Sequence, residues 1–218
     1  MNIKASIFDM DGLLIDSETI ALEQFQIICN RYDMGEQFDL YRQLLGTNTK
    51  TTRLILDQTL SDAVNTEQFM AEWTENYVAA TRDGVPLLPG VLGLLDLLDE
   101  YNIPMSVATS THTNPAIEKL EKSGILHRFQ HITGGDQISN GKPAPDIFLK
   151  AADRMAVSPR FCLAFEDSPN GVKAALAAGM QVIQVPSLVE PDDALRSMGH
   201  CIMNNLDEAV VHIRNSII

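Results

Sequence analysis

The chain has 218 residues, enough for one or two domains with a substantial core. Hydrophobic residues make up 45% and charged residues 21%, the balance of an ordinary globular protein. Lys and Arg number 16 against 29 Asp and Glu, and the net charge of −13 disfavours nucleic acid and anionic membrane as partners. An anionic small substrate is still allowed, because a bound metal and one or two cations can invert the sign inside a pocket.

An apolar run from Ile3 to Phe8 reads as a buried strand, and Gly12 breaks it. Asp9 and Asp11 follow the run two residues apart, so continued strand geometry would set both carboxylates on one side. Like charges that close need a cation between them, or a proton on one. A divalent metal would keep Asp9 ionised as a nucleophile, and a protonated Asp11 could act as general acid. An isolated Asp-x-Asp is equally well an acidic turn at a strand end.

From Glu18 to about Arg82 the pattern is helical. Ile20, Leu22, Phe25, Ile28 and Cys29 recur at helical spacing, as do Phe38, Tyr41, Leu44 and Leu45, and later Phe69, Met70, Trp73 and Tyr77. Gly35, Gly46 and the Ser61-Asp62 region mark breaks. The segment from Asp83 to Gly90, rich in Gly and Pro, returns the chain to another regime. With the turn at Ile15 and Asp16 it predicts a pair of hinges.

From Val91 onward helices and strands alternate. Helices are predicted at about Val91–Tyr101, Asn114–Ser123, Asp146–Met155, Pro169–Ala178 and Leu206–Ile213. Strands are predicted at about Pro104–Thr109, Phe129–Thr133, Phe161–Phe165 and Gln181–Val185. The fold class is therefore α/β, a doubly wound parallel sheet of Rossmann-like type with an inserted helical unit. The expected domains are 1–16 with 85–218 as the core, and 17–84 as the helical insert.

Ligands of such sheets bind at the carboxyl ends of the strands. Thr109, Ser110 and Thr111 end one strand, where the Thr109 hydroxyl near a helix N-terminus suits a phosphoryl oxygen or simply caps the turn. Lys142, between Gly141 and Pro143, could neutralise Asp9 and a phosphoryl group together, or lie solvated on the surface. Glu166 and Asp167 end a very apolar strand, which suits a hard divalent ion. Asp9, the Asp11 carbonyl and Asp167 could then donate oxygens to Mg²⁺. Asp167 and Ser168 could equally cap the helix starting at Pro169, and the two roles are compatible.

The motifs Asp9-x-Asp11-Gly12, Thr109, Lys142-Pro143 and Glu166-Asp167 occur in order, each at a strand end or adjoining loop. In this the chain resembles the haloacid dehalogenase superfamily over its whole length. The resemblance implies Asp9 as a nucleophile forming an aspartyl-phosphate and Asp11 as acid/base. It implies Thr109 and Lys142 as phosphate and nucleophile contacts, a metal at Asp167 with Glu166, and a mobile helical cap. A dehalogenase expels halide, which needs no proton, whereas a phosphomonoesterase expels an alkoxide, which does. The second carboxylate therefore favours phosphoryl chemistry.

The runs from Gly141 to Phe148 and from Phe165 to Val172 are similar to the branch holding β-phosphoglucomutase, 2-deoxyglucose-6-phosphatase and pseudouridine-5′-phosphatase. The cap run Ile28 to Asp33 is most similar to the last of these. Aligned on the first motif, the mutase has a histidine where this chain has Ala21, and its cap arginine falls at Thr49. A Mg²⁺-dependent phosphatase of a small phosphorylated metabolite is expected, with a sugar phosphate or nucleotide-like monophosphate as substrate. The alternatives are a phosphomutase and a non-catalytic binding module of the same fold. Candidate substrate contacts are Gly12, Ser110, Thr47, Asn48 and Lys50, the last three in a possible specificity loop spanning Gly46 to Lys50. No nucleic-acid or membrane partner is expected, and the chain is expected to be a monomer or weak homodimer. Cys29, Cys162 and Cys201 are widely spaced, which fits thiols of a reducing compartment, and no signal peptide is visible, so the expected location is the cytoplasm.

Overall fold

A computed structural model describes residues 2–45, 47, 49–60 and 64–217, apart from the side chains of Thr49 and Ile217. Gly46, Asn48 and the predicted break at Ser61-Asp62 lie outside the described residues. The chain divides into two compact units, Met1–Asp16 with Val85–Ile218, and Ser17–Gly84.

The first unit is built on six parallel strands: β1 (Ala5–Phe8), β2 (Met105–Ala108), β3 (His131–Thr133), β4 (Cys162–Glu166), β5 (Gln181–Gln184) and β6 (Cys201–Ile202). Their order is β3-β2-β1-β4-β5-β6. Sequence periodicity did not predict β6, whose two residues are too few to carry a pattern. β1, β2 and β4 are buried along their whole length, as expected of a parallel sheet covered on both faces. Alternate residues serve opposite faces. Ala5, Ile7, Cys162 and Ala164 pack with Ile147, Phe148, Ala151, Val172 and Ala175. These come from α7 (Asp146–Arg154) and α8 (Pro169–Ala177). Phe8 and Phe165 stack at 4.7 Å, and Phe129 meets Phe8 edge-on at 5.9 Å. The remaining helices of this unit are α5 (Val91–Glu100), α6 (Thr113–Lys122), α9 (Asp193–Arg196) and α10 (Leu206–Ile217).

Register lines up the strand ends. Phe8 is level with Val107 on one side and Phe165 on the other. Asp9, Thr109 and Glu166 therefore leave the sheet at nearly one height, where the strand order diverges from β1 to either side.

The predicted continuation of strand geometry through Asp11 does not hold. β1 ends at Phe8, and the Met10 carbonyl accepts from the backbone N–H groups of Leu14 (2.9 Å) and Ile15 (3.2 Å). Gly12, at φ +79°, supplies the left-handed turn. The two segments predicted as hinges are paired by backbone: Asp16 N–H donates to the Pro86 carbonyl (2.8 Å) and Leu88 N–H to the Leu14 carbonyl (3.1 Å).

Among its described residues the second unit holds α1 (Ser17–Arg31), α2 (Phe38–Leu44), α3 (Thr49–Thr59) and α4 (Thr66–Ala80). Its centre is aromatic, with Tyr41, Phe69 and Trp73 each within 6 Å of the Phe25 ring. Asn65 caps α4 by accepting from Gln68 N–H at 2.9 Å. Among the described residues no helix is long and apolar enough to cross a membrane.

Candidate active site

Asp9 is 6% exposed and its backbone N–H donates to the Phe165 carbonyl, which ties the end of β1 to β4. Lys142 Nζ donates to Asp9 Oδ1 and to Glu166 Oε1, so one buried ammonium bridges two buried carboxylates. Lys142 is thus not a solvated surface lysine. It reaches the site from a turn closed by Ala144 N–H on the Gly141 carbonyl (3.0 Å), with a cis Lys142–Pro143 bond. Its ammonium also lies 5.2 Å from the Phe148 ring centre.

Burial raises the Asp9 carboxyl well above the usual range. The Lys142 charge and hydrogen bond offset part of this, while Glu166 and Asp11 add to it. For Lys142, burial works against the charged form, but the charges and hydrogen bonds of Asp9 and Glu166 together outweigh it and raise the pKa.

Glu166 is fully buried, and its second oxygen accepts from Asp167 N–H (3.1 Å), Ser168 N–H (3.1 Å) and the Ser168 hydroxyl (3.0 Å). Ser168 also caps α8 by accepting from Gly171 N–H at 3.1 Å, so the expected cap forms through Ser168. Side-chain oxygens of Asp9, Glu166 and Asp167 lie within 4.8 Å of one another. That is an all-oxygen donor set of the kind a hard divalent ion takes. Donors already engage both Glu166 oxygens, and Lys142 also engages Asp9.

Asp11 points into a different group. Its Oδ2 accepts from the Thr111 hydroxyl at 2.7 Å and more distantly from Thr109 at 3.4 Å, and its Oδ1 accepts from Lys119 Nζ at 2.8 Å. Thr109 is 1% exposed and accepts from Thr111 N–H (3.1 Å), the turn that its position after β2 allowed. Ser110 is exposed in the same loop. Gly134 and Gly135 let the segment after β3 approach that loop: a Cβ at Gly135 would lie 2.4 Å from the Ser110 carbonyl oxygen. Asp136 then accepts from Thr113 N–H (2.6 Å) and the Thr113 hydroxyl (2.7 Å) at the start of α6. Sequence reasoning placed Thr111 at the strand end without a role, and it missed Lys119 and Asp136. A lysine in a polar helical stretch carries no periodic signal; only the adjacent glycines hinted at close packing.

The cap candidates stand in the helical unit. The Thr47 hydroxyl donates to the Leu44 carbonyl (2.8 Å) and shares a 2.7 Å hydrogen bond with Thr52. Lys50 is exposed on α3. Thr47 borders a cavity of about 290 Å³ whose wall includes Glu18, Tyr41, Thr52, Trp73 and Thr74. Gly12, also proposed as a substrate contact, serves the turn described above.

The sequence profile of haloacid dehalogenase-like hydrolases matches residues 6–185. The chain is 38% identical over 188 residues to the mitochondrial (DL)-glycerol-3-phosphatase 1 of Arabidopsis thaliana, covering 83% of this chain and 63% of that one. It thus spans less than two thirds of the plant enzyme's length. It is 35% identical to a Drosophila melanogaster protein provisionally named pseudouridine-5′-phosphatase, covering 83% of this chain and 80% of that one. A Thermotoga maritima crystal structure provisionally named β-phosphoglucomutase superposes with a TM-score of 0.80 at 29% identity, over 99% of this chain and 100% of the other.

Proposed function

The chain belongs to the haloacid dehalogenase-like hydrolase family, and on that premise we propose that it is a Mg²⁺-dependent phosphatase of small phosphorylated metabolites. The observation that carries this reading is Asp9, a buried carboxylate at the end of β1, bridged by Lys142 and crowded by Glu166 and Asp167. Asp9 and Asp167, with the Asp11 carbonyl, form the oxygen set that would hold Mg²⁺. When bound, the ion supplies positive charge against Asp9 and the phosphoryl oxygens.

In this reading Asp9 attacks phosphorus and the P–O bond to the leaving group breaks. Lys142 orients the nucleophile and offers positive charge to the transferring group. Thr109 and the backbone of its turn contact the phosphoryl oxygens. Asp11 gives a proton to the departing alkoxide, then takes one from the water that cleaves the aspartyl-phosphate. The products are an alcohol and inorganic phosphate.

The helical unit serves as the cap that governs access and selectivity. Its cavity wall carries hydroxyls and a tryptophan, with no Lys or Arg among its described residues. The proposed substrate is a sugar phosphate or nucleotide-like monophosphate. Three free cysteines, two of them buried, suit the cytoplasm. The same charge balance keeps nucleic acid and membrane off the list of partners, and a monomer or weak homodimer suffices for the site. The test is phosphate release by purified protein from a panel of phosphorylated metabolites, ranked by kcat/KM. Failure with every member, and with a generic aryl phosphate in Mg²⁺, would refute the reading.

A further inference from the structure

Asp11 sits beyond the end of β1, on the turn that Gly12 closes. The groups that hold its carboxylate come from elsewhere in the chain. Thr111 belongs to the loop after β2, and Lys119 to the second turn of α6. They engage different oxygens, Thr111 on Oδ2 at 2.7 Å and Lys119 on Oδ1 at 2.8 Å. A single contact would leave the carboxylate free to rotate about its Cβ–Cγ bond, whereas a contact on each oxygen fixes its plane.

This pair differs from a surface ion pair. Both side chains are about one-fifth exposed, at 21% and 22%, and 108 positions separate them in sequence. Nearby on the same helix, Lys122 pairs with Glu118 at 36% and 65% exposure, four residues apart. That contact is the ordinary helix-surface kind, worth a few tenths of a kcal/mol. Lys119 instead follows the buried Ala116 by three residues and precedes the buried Leu120, on the flank of the helix that faces the sheet. Its ammonium is therefore aimed by the packing of α6. Thr111 is aimed by its own backbone, whose N–H donates to Thr109 and whose carbonyl accepts from Gly135 N–H at 3.0 Å. Gly134 and Gly135 admit no Cβ there, so the loop has one position available.

We propose that Lys119 and Thr111 are positioning residues that set the carboxyl group of Asp11, which carries the proton as the ester bond breaks and is left as the carboxylate, for proton transfer to the leaving group. The inference rests on the reading of Asp11 as acid/base above. Neither residue touches the transferring phosphoryl group in this proposal. Both act through Asp11, and the step that depends on them is cleavage of esters whose alcohol cannot leave unprotonated.

Leaving-group dependence separates this role from a structural one. 4-Nitrophenyl phosphate expels a stabilised phenolate and needs little proton transfer, whereas an alkyl phosphate needs it in full. kcat/KM reports the steps up to loss of the leaving group, so water attack on the phosphoenzyme does not enter. General acid catalysis is worth roughly 10²–10⁴-fold, and misplacing the acid forfeits part of that. The alkyl-to-aryl ratio of kcat/KM should therefore fall at least tenfold, on the order of the lower part of that range, in Lys119→Met and in Thr111→Val. Asp11→Asn should lower it further, and Lys119→Arg should restore part of it. The two variants lie on different elements, so one that folds poorly leaves the other to decide. Equal losses on both esters, or an unchanged ratio in either folded variant while Asp11→Asn shows the selective loss, would overturn the positioning role alone. A wild-type protein that cleaves neither ester would remove the phosphatase reading and this inference with it.

Discussion

Gly171→Ala sets two arguments of opposite sign against each other. Gly171 is the third residue of α8, and a helical glycine replaced by alanine normally gains about 1 kcal/mol. Here the added Cβ would lie 1.9 Å from Glu166 Cδ and Oε1, and 2.1 Å from Oε2. The end of a glutamate can usually swing aside, but this one is fully buried and held by Lys142, two backbone N–H groups and the Ser168 hydroxyl. Each hydrogen bond to a charged group is worth roughly 1.5–3 kcal/mol, and moving the carboxylate far enough breaks at least two. Subtracting the helix gain leaves a net destabilisation of about 2–5 kcal/mol. Lys142 would also lose one of its two carboxylate anchors, so turnover should drop at least ~10-fold, as expected when a group that orients the nucleophile shifts by an ångström. Urea unfolding followed by circular dichroism, with phosphate release measured on the same preparation, reads both quantities. A variant stabilised by about 1 kcal/mol with undiminished activity would refute the reasoning, because Glu166 would then have room to move and no part in holding Lys142.

Asp9→Asn should abolish phosphate release while the fold survives, since the amide is nearly isosteric and a poor nucleophile; retained turnover in the purified variant would exclude Asp9 as the nucleophile. In chelator, the raised Asp9 pKa has a defined sign: the folded state holds this proton above the ordinary carboxylate range, so wild-type stability should decline as pH rises from about 4 towards neutrality, and the Asn variant should decline less. Activity should fail in EDTA, return with Mg²⁺ and be inhibited by Ca²⁺, whose looser shell would misplace Asp9; full turnover in chelator would rule out the metal. From β-glucose 1-phosphate with a trace of the 1,6-bisphosphate, phosphorus NMR should detect inorganic phosphate; faster build-up of glucose 6-phosphate would promote the mutase reading, which Ala21 disfavours by offering neither a cation nor a proton relay.

The core was legible where chemistry and periodicity coincide. Apolar runs ended by acids predicted β1 and β4, because a parallel strand buried on both faces must be apolar and whatever follows it must serve the sheet's carboxyl edge. Lys142 was legible only by its Gly-Lys-Pro setting, since an isolated lysine says nothing of burial. Contacts between distant elements were not legible. Lys119 looks like any polar residue of an amphipathic helix, and its contact with Asp11 exists only because α6 returns to the carboxyl edge after β2. The continuation of strand geometry to Asp11 was misjudged for a related reason. A period-two rule applies inside a strand, and β1 had already ended.

On the proposed reading, the local charge accounts for how an acidic chain could accept a phosphate ester. Asp9, Asp11, Glu166 and Asp167 share this end of the sheet with Lys119 and Lys142, so carboxyl groups outnumber ammonium groups by two, and Asp9 and Glu166 are buried. Burial alone would answer by protonating Asp9, as its raised pKa indicates, and a protonated Asp9 is no nucleophile. The proposed divalent ion resolves both difficulties with one charge change. It would add positive charge where acids outnumber lysines, and it would keep the Asp9 carboxylate ionised at neutral pH. A dianionic phosphate would then meet a pocket without surplus negative charge. The remaining charge of the chain lies mostly on its surface, where salt screens it over about 8 Å. Lys142 suits its place better than an arginine would: a compact ammonium can bridge Asp9 and Glu166 and still present its charge to a phosphoryl oxygen, whereas a planar guanidinium would commit its fork to one carboxylate.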